Sequence, residues 1–275
     1  MQALVESGEN VKYNVVVGIS GGAVNAGAFA KYNVGDEADV TQFMVKMWTD
    51  LKHQNMWQRY NSVFMPDLRV VPAMFDTTPQ HAFLRTIFDA DQLASTTRRS
   101  YVAVTNLETY QVKLVSSRDS TFLDAVVASS AFPLIYPPVM LNDTYYIDGG
   151  YNFTTPIHDL VDLCRTTTLE DTGSLPTAIH IDIMIPNGNF ESELDQTHIT
   201  GQLSFFDVAY KVGVKLGASF FTNDYDFLGD PALNITTRVF KPDAPLTGLY
   251  LSFTHSKEYI KKGYFDALEV LEADE

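Results

Sequence analysis

The chain has 275 residues, of which 45% are hydrophobic and 19% are charged, a composition typical of a globular protein with a sizeable core. Its 34 acidic residues outnumber its 19 basic ones, and the formal net charge of −15 argues against binding to nucleic acid or to strongly anionic lipid. The single cysteine, Cys164, excludes a disulfide framework and a cysteine-based zinc cluster.

Segments of strand and helix character follow one another along the chain. Residues 13–18 (YNVVVG) form a β-branched run typical of a strand covered on both faces, and the small residues from Gly21 onward suit a helix packed closely against it. A helix is expected to begin at Thr78, with Thr78 as N-cap and Pro79 at the first helical position. The segments with helical character are 40–53, 78–88, 119–130, 205–221 and 256–271, and those with strand character are 101–105, 111–116, 144–147 and 178–185.

The order of these segments indicates a fold class. Strands that alternate with helices predict an α/β fold with a largely parallel central sheet covered by helices. No internal repeat, low-complexity tract or long linker interrupts the pattern, so residues 1–275 are expected to form a single domain.

The sequence shows no recognisable targeting signal. The first residues, MQALVESG, show neither the basic region nor the apolar stretch of a signal peptide, and no apolar run approaches the roughly 18 residues of a membrane span. We expect a cytoplasmic protein without a transmembrane segment. Peripheral association with membranes stays open. The sequons at Asn142, Asn152 and Asn234 are expected to be incidental, since this pattern is common by chance.

Residues 18–22 (GISGG) match the pattern G-x-S-x-G where the first strand meets the following helix. In this setting a serine lies on a sharp turn with its hydroxyl exposed, as a catalytic nucleophile requires. We expect Gly18, Gly21 and Gly22 to leave room for the turn, and the helix N-terminus behind Ser20 to favour a developing oxyanion. The alternatives are a packing turn or a phosphate-binding turn, and neither G-x-G-x-x-G nor GxxxxGK[ST] is present to support a nucleotide site.

A serine nucleophile needs a base. Asp148 ends a predicted strand (TYYID) before Gly149 and Gly150, and burial beside apolar neighbours would raise its pKa toward the range of a general base. Taken alone, Asp-Gly-Gly is equally a common turn. The histidines are His53, His81, His158, His180, His198 and His255. None lies in a setting that singles it out, and a Ser–His–Asp triad through His158 or His180 stays open.

Metal ligands are not apparent in the sequence. No HExxH or comparable pair of histidine and carboxylate is present, so no catalytic metal is expected. The acidic stretch 223–230 departs from the EF-hand pattern and is expected to be a solvated loop.

Two long segments resemble those of a known family. The stretch VVVGISGGAVNAGAFA resembles the nucleophile segment of the patatin-like phospholipases, and AVVASSAFPLIYPPVMLNDTYYIDGG resembles the passage into their Asp-Gly-Gly motif. Weaker similarity extends to VAVTNLETYQVKLVSS and FTHSKEYIKKGYFDAL, so the resemblance covers most of the chain. The ordered pair GxSxG and DGG is its most specific part.

The resemblance implies a three-layer α/β/α fold and a Ser–Asp catalytic dyad that needs no cofactor. Ser20 would attack a lipid acyl ester, and Asp148 would serve as the base in both half-reactions. Gly18, Gly21 and Gly22 would form the elbow and oxyanion region, and Gly149 and Gly150 are the glycines of the acid motif. The implied activity is that of a lipid acyl hydrolase of phospholipase A type, working in transient contact with a membrane or micelle surface.

The chain departs from the family pattern near its start. Patatin-like enzymes carry a glycine-rich loop with a basic residue before the first helix, and the N–H groups of that loop form the oxyanion hole. We expect this chain to lack the loop and the strand before it, which leaves the Gly21 N–H as one donor. Thr154-Thr155-Pro156 also stands where the family more often has Asn near the proline. The alternatives are a catalytically impaired lipid-binding relative and a Ser–His–Asp esterase.

Overall fold

The computed structural model describes residues 1–60, 73–152, 156–185, 234–243, 253 and 255–273. Within these residues the α-helices are α1 (Gln2–Glu6), α2 (Gly21–Ala30), α3 (Glu37–Asp50), α4 (Thr78–Ile87), α5 (Ala90–Ser95), α6 (Phe122–Ser129), α7 (Ile157–Thr172) and α8 (Ser256–Ala273). The strands are β1 (Val15–Gly18), β2 (Gln58–Arg59), β3 (Phe75–Asp76), β4 (Arg99–Asn106), β5 (Val112–Ser116), β6 (Val139–Leu141), β7 (Thr144–Asp148), β8 (Ala178–Met184) and β9 (Asn234–Phe240). The predicted α/β class is confirmed.

Strand β4 is the centre of a five-stranded sheet. Residues 101–105 pair with β5 along one edge of β4. Because 101 and 102 also pair with β1, and 104 and 105 also pair with β7, both of these strands must lie on the opposite edge. β1 runs parallel to β4 and β7 runs antiparallel to it, so β1 and β7 approach each other with their C-terminal ends along a single edge.

The central sheet is mixed. The expected parallel pairing is found for β1 with β4, and again for β8 with β9 outside this sheet, whereas the other described pairings are antiparallel. Short connections account for two of the antiparallel pairs, because only a turn separates β4 from β5 and β6 from β7. Asn142 and Asp143, with φ of 47° and 63°, form such a turn between β6 and β7.

Helices cover both faces of the sheet. Successive residues of a strand face opposite sides, and in β4 Val102 and Val104 join the main core together with residues of α2 and α6. Arg99 lies on the other face, where its guanidinium contacts the Asp171 carboxylate of α7 at 3.2 Å. This arrangement agrees with the expected three-layer α/β/α architecture.

The parallel pair β8–β9 has its own apolar contacts. Ile179, Ile181 and Ile183 of β8 pack against α7 in one cluster. Phe240 of β9 packs with α1 and α8 in another. α7 therefore contacts both the central sheet, through Arg99, and the β8–β9 pair.

Most predicted elements in the described part of the chain are confirmed, with shifts at their ends. The helix expected from residue 40 begins at Glu37. Thr77, and not Thr78, is the N-cap residue of α4. Asp76 explains this shift, because its Oδ1 accepts hydrogen bonds from the Thr78 N–H at 2.8 Å and the Thr78 hydroxyl at 2.6 Å. The helix expected over 205–221 and the acidic loop over 223–230 lie outside the described residues.

A buried ion pair stabilises the segment at the N-terminal end of β1. The Arg98 side chain is fully buried and donates to Glu37 Oε1 at 3.0 Å and to the carbonyl oxygens of Tyr13 and Asn33 at 2.7 Å each. The same Glu37 oxygen accepts the Tyr13 N–H at 2.9 Å. One guanidinium thus joins the segment before β1, the end of α2 and the start of α3.

Replacement of Arg98 should therefore destabilise the fold strongly. In Arg98→Met, Glu37 becomes a buried charge without its partner, and such losses cost about 3–5 kcal/mol. Urea unfolding followed by circular dichroism measures the change. Lys46→Met is the matched control, because the Lys46–Asp50 ion pair is exposed and its loss should leave the unfolding midpoint nearly unchanged. Equal midpoints for the two variants would contradict the assignment.

Candidate active site

Ser20 lies on a tight turn between β1, which ends at Gly18, and α2, which begins at Gly21. Its backbone has φ 54° and ψ −122°, a conformation that non-glycine residues rarely adopt and that is common at functional sites. The turn is closed by hydrogen bonds from the Gly22 N–H to the Ile19 carbonyl at 2.8 Å and from the Ala23 N–H to the Ser20 carbonyl at 2.9 Å. The structure thus shows the strand–turn–helix setting expected from the sequence.

The three glycines of the motif have different roles. A Cβ on Gly18 would lie 2.1 Å from the Gly22 carbonyl oxygen and 2.8 Å from the Ala26 Cβ, so this position has no room for a side chain. Around Gly21 and Gly22 a Cβ would meet no atom within 4 Å. The expectation that all three glycines make room for the turn is therefore wrong for Gly21 and Gly22.

Gly21 is exposed at the first position of α2, and within the described part of the chain its N–H has no hydrogen-bond acceptor. The N-terminus of a helix carries a partial positive charge. The N–H of Gly21 is therefore accessible to a negatively charged oxygen of a ligand.

Asp148 is the last residue of β7 and only 6% exposed. Its carboxyl group accepts a hydrogen bond from the Gly150 N–H at 2.8 Å, and the Ser20 hydroxyl lies close enough to influence its pKa. Burial raises the pKa of Asp148 to about 6, and the Gly150 N–H and the Ser20 hydroxyl oppose the rise. The carboxylate is consequently far more basic than an exposed aspartate.

The glycines after Asp148 allow this contact. A Cβ on Gly149 would lie 2.2 Å from the Ala103 carbonyl oxygen of β4, which excludes any side chain there. A Cβ on Gly150 would lie 3.2 Å from Asp148 Oδ1, close to the atom that its N–H bonds. The Asp-Gly-Gly segment is therefore shaped by the sheet and by the carboxylate, and is more than a solvent-exposed turn.

The pairing along β4 explains why Ser20 and Asp148 meet. Gly18 lies opposite Val102, and Asp148 lies opposite Val104 on the same edge. Two residues along a strand span about 7 Å, so the ends of β1 and β7 are close neighbours. The turn after Gly18 then brings the Ser20 hydroxyl near the Asp148 carboxylate, whose pKa it lowers.

The C-terminal end of α6 contacts the same two residues. Ser129 Oγ accepts the Ser20 N–H at 2.9 Å, and Ser130 Oγ donates to the Ser20 carbonyl at 3.2 Å. The Ala131 carbonyl accepts the Asp148 N–H at 3.1 Å. Sequence reasoning missed these residues, although they lie in the segment AVVASSAFP that carries the family resemblance.

The histidines have other surroundings. His81 contacts Asp124 at 3.0 Å, His255 contacts Glu258 at 3.0 Å, and His180 contacts the Thr236 hydroxyl on β9. His158 is the second residue of α7, and His198 lies outside the described residues. Among the described groups that shift the pKa of Asp148, none is a histidine.

Metal-ligand clusters and membrane-spanning helices are absent from the part of the chain that the structure describes. No group of three or more histidine, cysteine, aspartate or glutamate side chains there is arranged to hold a metal ion. No described helix is both long and apolar enough to cross a membrane. The lone Cys164 is partly buried, and burial raises the pKa of its thiol to about 11.

A serine on a sharp, strained turn between a strand and a helix of an α/β sheet is an arrangement found in hydrolases. The family model of the patatin-like phospholipases matches residues 1–161, more than half of the chain. The protein therefore belongs to the patatin-like phospholipase family, as the sequence segments indicated, and this membership indicates lipid acyl hydrolase activity. A comparison with curated proteins gave no match.

The glycine positions give a stability prediction. Gly18→Ala should destabilise the protein by about 1–3 kcal/mol or more, because the new methyl group overlaps the Gly22 carbonyl. Gly22→Ala should be neutral or stabilising, since it replaces a helical glycine in open space. Thermal unfolding of both variants beside the wild type measures the difference. Comparable melting temperatures for the two variants would contradict the assignment.

Proposed function

We propose that the protein hydrolyses an acyl ester of a lipid through an acyl-serine intermediate, with Ser20 as nucleophile and Asp148 as general base. The observation that carries the proposal is the position of Ser20, on a strained turn beside the buried Asp148 carboxylate and close enough for its hydroxyl to lower the pKa of that group. A base with a pKa of about 6 is mostly ionised at neutral pH and still accepts a proton more readily than an ordinary aspartate.

The first half-reaction follows from this geometry. Asp148 takes the proton from Ser20 as Ser20 Oγ attacks the ester carbonyl. The negative charge that develops on the carbonyl oxygen is stabilised by the Gly21 N–H and by the N-terminus of α2. Asp148 then returns the proton to the leaving alcohol, which departs and leaves the acyl group on Ser20.

The second half-reaction is the reverse of the first, with water in place of the alcohol. A water molecule takes the place of the alcohol, and Asp148 accepts its proton as the water oxygen attacks the acyl carbonyl. The fatty acid leaves, and Ser20 regains its proton from Asp148. One buried carboxylate thus serves both steps, because each step moves one proton between Asp148 and an oxygen near Ser20.

The substrate class follows from the family and from the charge. The family indicates a lipid with acyl esters. A net charge of −15 disfavours approach to an anionic surface, so we propose neutral or zwitterionic lipid in a membrane or micelle as the substrate. The organisation of residues 1–275 as one domain stays a prediction.

Ester turnover tests the dyad. With a short-chain p-nitrophenyl ester, Ser20→Ala and Asp148→Asn should each lower kcat by about a thousandfold or more, while His158→Ala and His180→Ala keep wild-type rates. In the wild type, kcat/KM should fall about tenfold per pH unit below pH 6, because protonated Asp148 cannot accept the Ser20 proton.

The same experiment separates the alternatives. Loss of turnover in a histidine variant would favour a Ser–His–Asp esterase. A wild type that is labelled at Ser20 by a fluorophosphonate but does not turn over ester or phospholipid would favour a catalytically impaired lipid-binding relative. Full activity in Asp148→Asn would contradict the proposal.

The ionised carboxylate of Asp148 should also lower the free energy of unfolding. The pKa of Asp148 is about 6 in the folded protein against an ordinary value of 3.8, so the folded state binds the proton more tightly. Ionisation of Asp148 is therefore more costly in the folded protein than in the unfolded chain. This loss of stability is absent below pH 4 and grows between pH 4 and 6. Above pH 6 it is fully present and reaches about 3 kcal/mol. Asp148→Asn should therefore melt at a higher temperature than the wild type at pH 8, and the difference should vanish near pH 4.

A further inference from the structure

We propose that Ser129 and Ser130 are positioning residues, which hold the backbone of Ser20 in the conformation that keeps its hydroxyl near Asp148. This inference rests on the proposed function and adds to it two side chains that do not touch the reacting atoms. It is drawn from the contacts at the end of α6.

The two serines bond both peptide groups of the nucleophile. Ser129 Oγ accepts the Ser20 N–H at 2.9 Å, and Ser130 Oγ donates to the Ser20 carbonyl at 3.2 Å. A residue with φ 54° and ψ −122° is strained and keeps this conformation only where its surroundings hold it. These two hydrogen bonds come from side chains, so truncation of either one removes a restraint and leaves the backbone of α6 intact.

The same segment also holds the base. The Asp148 N–H donates to the Ala131 carbonyl at 3.1 Å. Three consecutive residues, Ser129 to Ala131, therefore contact both members of the dyad. The separation of Ser20 and Asp148 then depends on the end of α6 as well as on the pairing along β4.

The end of α6 is well placed for this role because its surroundings are rigid. Ser129 is fully buried, and the four residues before it, Ala125 to Ala128, belong to the main core. The Val126 carbonyl also lies 3.2 Å from Ser130 Oγ, so the single hydroxyl proton of Ser130 is shared between the Ser20 and Val126 carbonyl oxygens. Close-packed interiors transmit small displacements with little loss, so a shift at α6 would reach the nucleophile.

Removal of one hydroxyl should affect chemistry more than binding. In Ser129→Ala the Ser20 N–H loses its acceptor, and the turn can relax away from Asp148. Misplacement of a reacting group by about 1 Å costs up to about a hundredfold in rate. The Ser20 hydroxyl also lowers the pKa of Asp148, so its displacement should raise that pKa.

The test compares Ser129→Ala, Ser130→Ala and the hydroxyl-retaining Ser130→Thr with the wild type on the p-nitrophenyl ester. We expect kcat to fall about tenfold to a hundredfold in Ser129→Ala with KM unchanged, and the acid limb of kcat/KM to move to higher pH. Ser130→Ala should change in the same direction, and Ser130→Thr should recover most of the loss. Urea unfolding of each variant gives the folded fraction for normalisation.

Ser117→Ala is the matched control. Ser117 is a buried serine whose hydroxyl has no hydrogen-bond partner among the described residues. Its truncation should leave kcat and the pH profile unchanged. The positioning role is overturned if kcat per folded molecule and the acid limb in Ser129→Ala equal those of the wild type, or if Ser117→Ala shows the same losses.

A second readout keeps this test independent of turnover. The Asp148 carboxyl can be titrated by carbon NMR in the wild type and in Ser129→Ala, whether or not either protein hydrolyses ester. A higher pKa in Ser129→Ala supports positioning, and an identical pKa overturns it. Failure of the proposed function has a different signature, which is wild-type activity in Ser20→Ala or Asp148→Asn.

Discussion

The candidate active site depends on one edge of β4. Two strands pair with that edge, β1 in parallel and β7 antiparallel. Their C-terminal ends point toward each other, because Gly18 of β1 lies opposite Val102 and Asp148 of β7 lies opposite Val104. Neither strand can extend further without colliding with the other, so each chain must turn away from the sheet. One turn presents Ser20 and the other follows Asp148. The proximity of Ser20 and Asp148 is therefore a consequence of strand pairing. Hydrogen bonds from the end of α6 to the backbone of both residues add to it.

The electrostatic character of Asp148 becomes clear beside other carboxylates of the chain. Glu37 is buried against the Arg98 guanidinium, and Asp182 accepts hydrogen bonds from Arg238 and from the Tyr13 hydroxyl. In both cases a guanidinium compensates the charge of the carboxylate. No cationic group is among the causes that shift the pKa of Asp148, and burial raises this pKa to about 6 against the opposing effects of the Gly150 N–H and the Ser20 hydroxyl. Burial without a cationic partner therefore distinguishes Asp148 from these two carboxylates.

The sequence predicted what short patterns determine. The turn at Ser20 and the strand end at Asp148 follow from local runs of residues, and the structure has both. The meeting of β1 and β7 on β4 depends on pairing between distant segments, which no local pattern encodes. The hydrogen bonds of Ser129 and Ser130 depend on the same long-range packing. α7 was largely missed because three consecutive threonines weaken its helical signal, and tertiary contacts through Ile157 and Val161 offset that weakness.

The glycines show how a motif combines demands of the fold with demands of the site. Gly18 and Gly149 are required because a Cβ at either position would overlap a backbone carbonyl, that of Gly22 or that of Ala103. Gly21 faces open space, so the fold places no such demand on it. A side chain there would instead occupy space beside the exposed N–H at the start of α2. Packing of β1 against α2 therefore accounts for the first glycine of the motif, whereas the role proposed for Gly21 is to leave its exposed N–H open to a substrate oxygen.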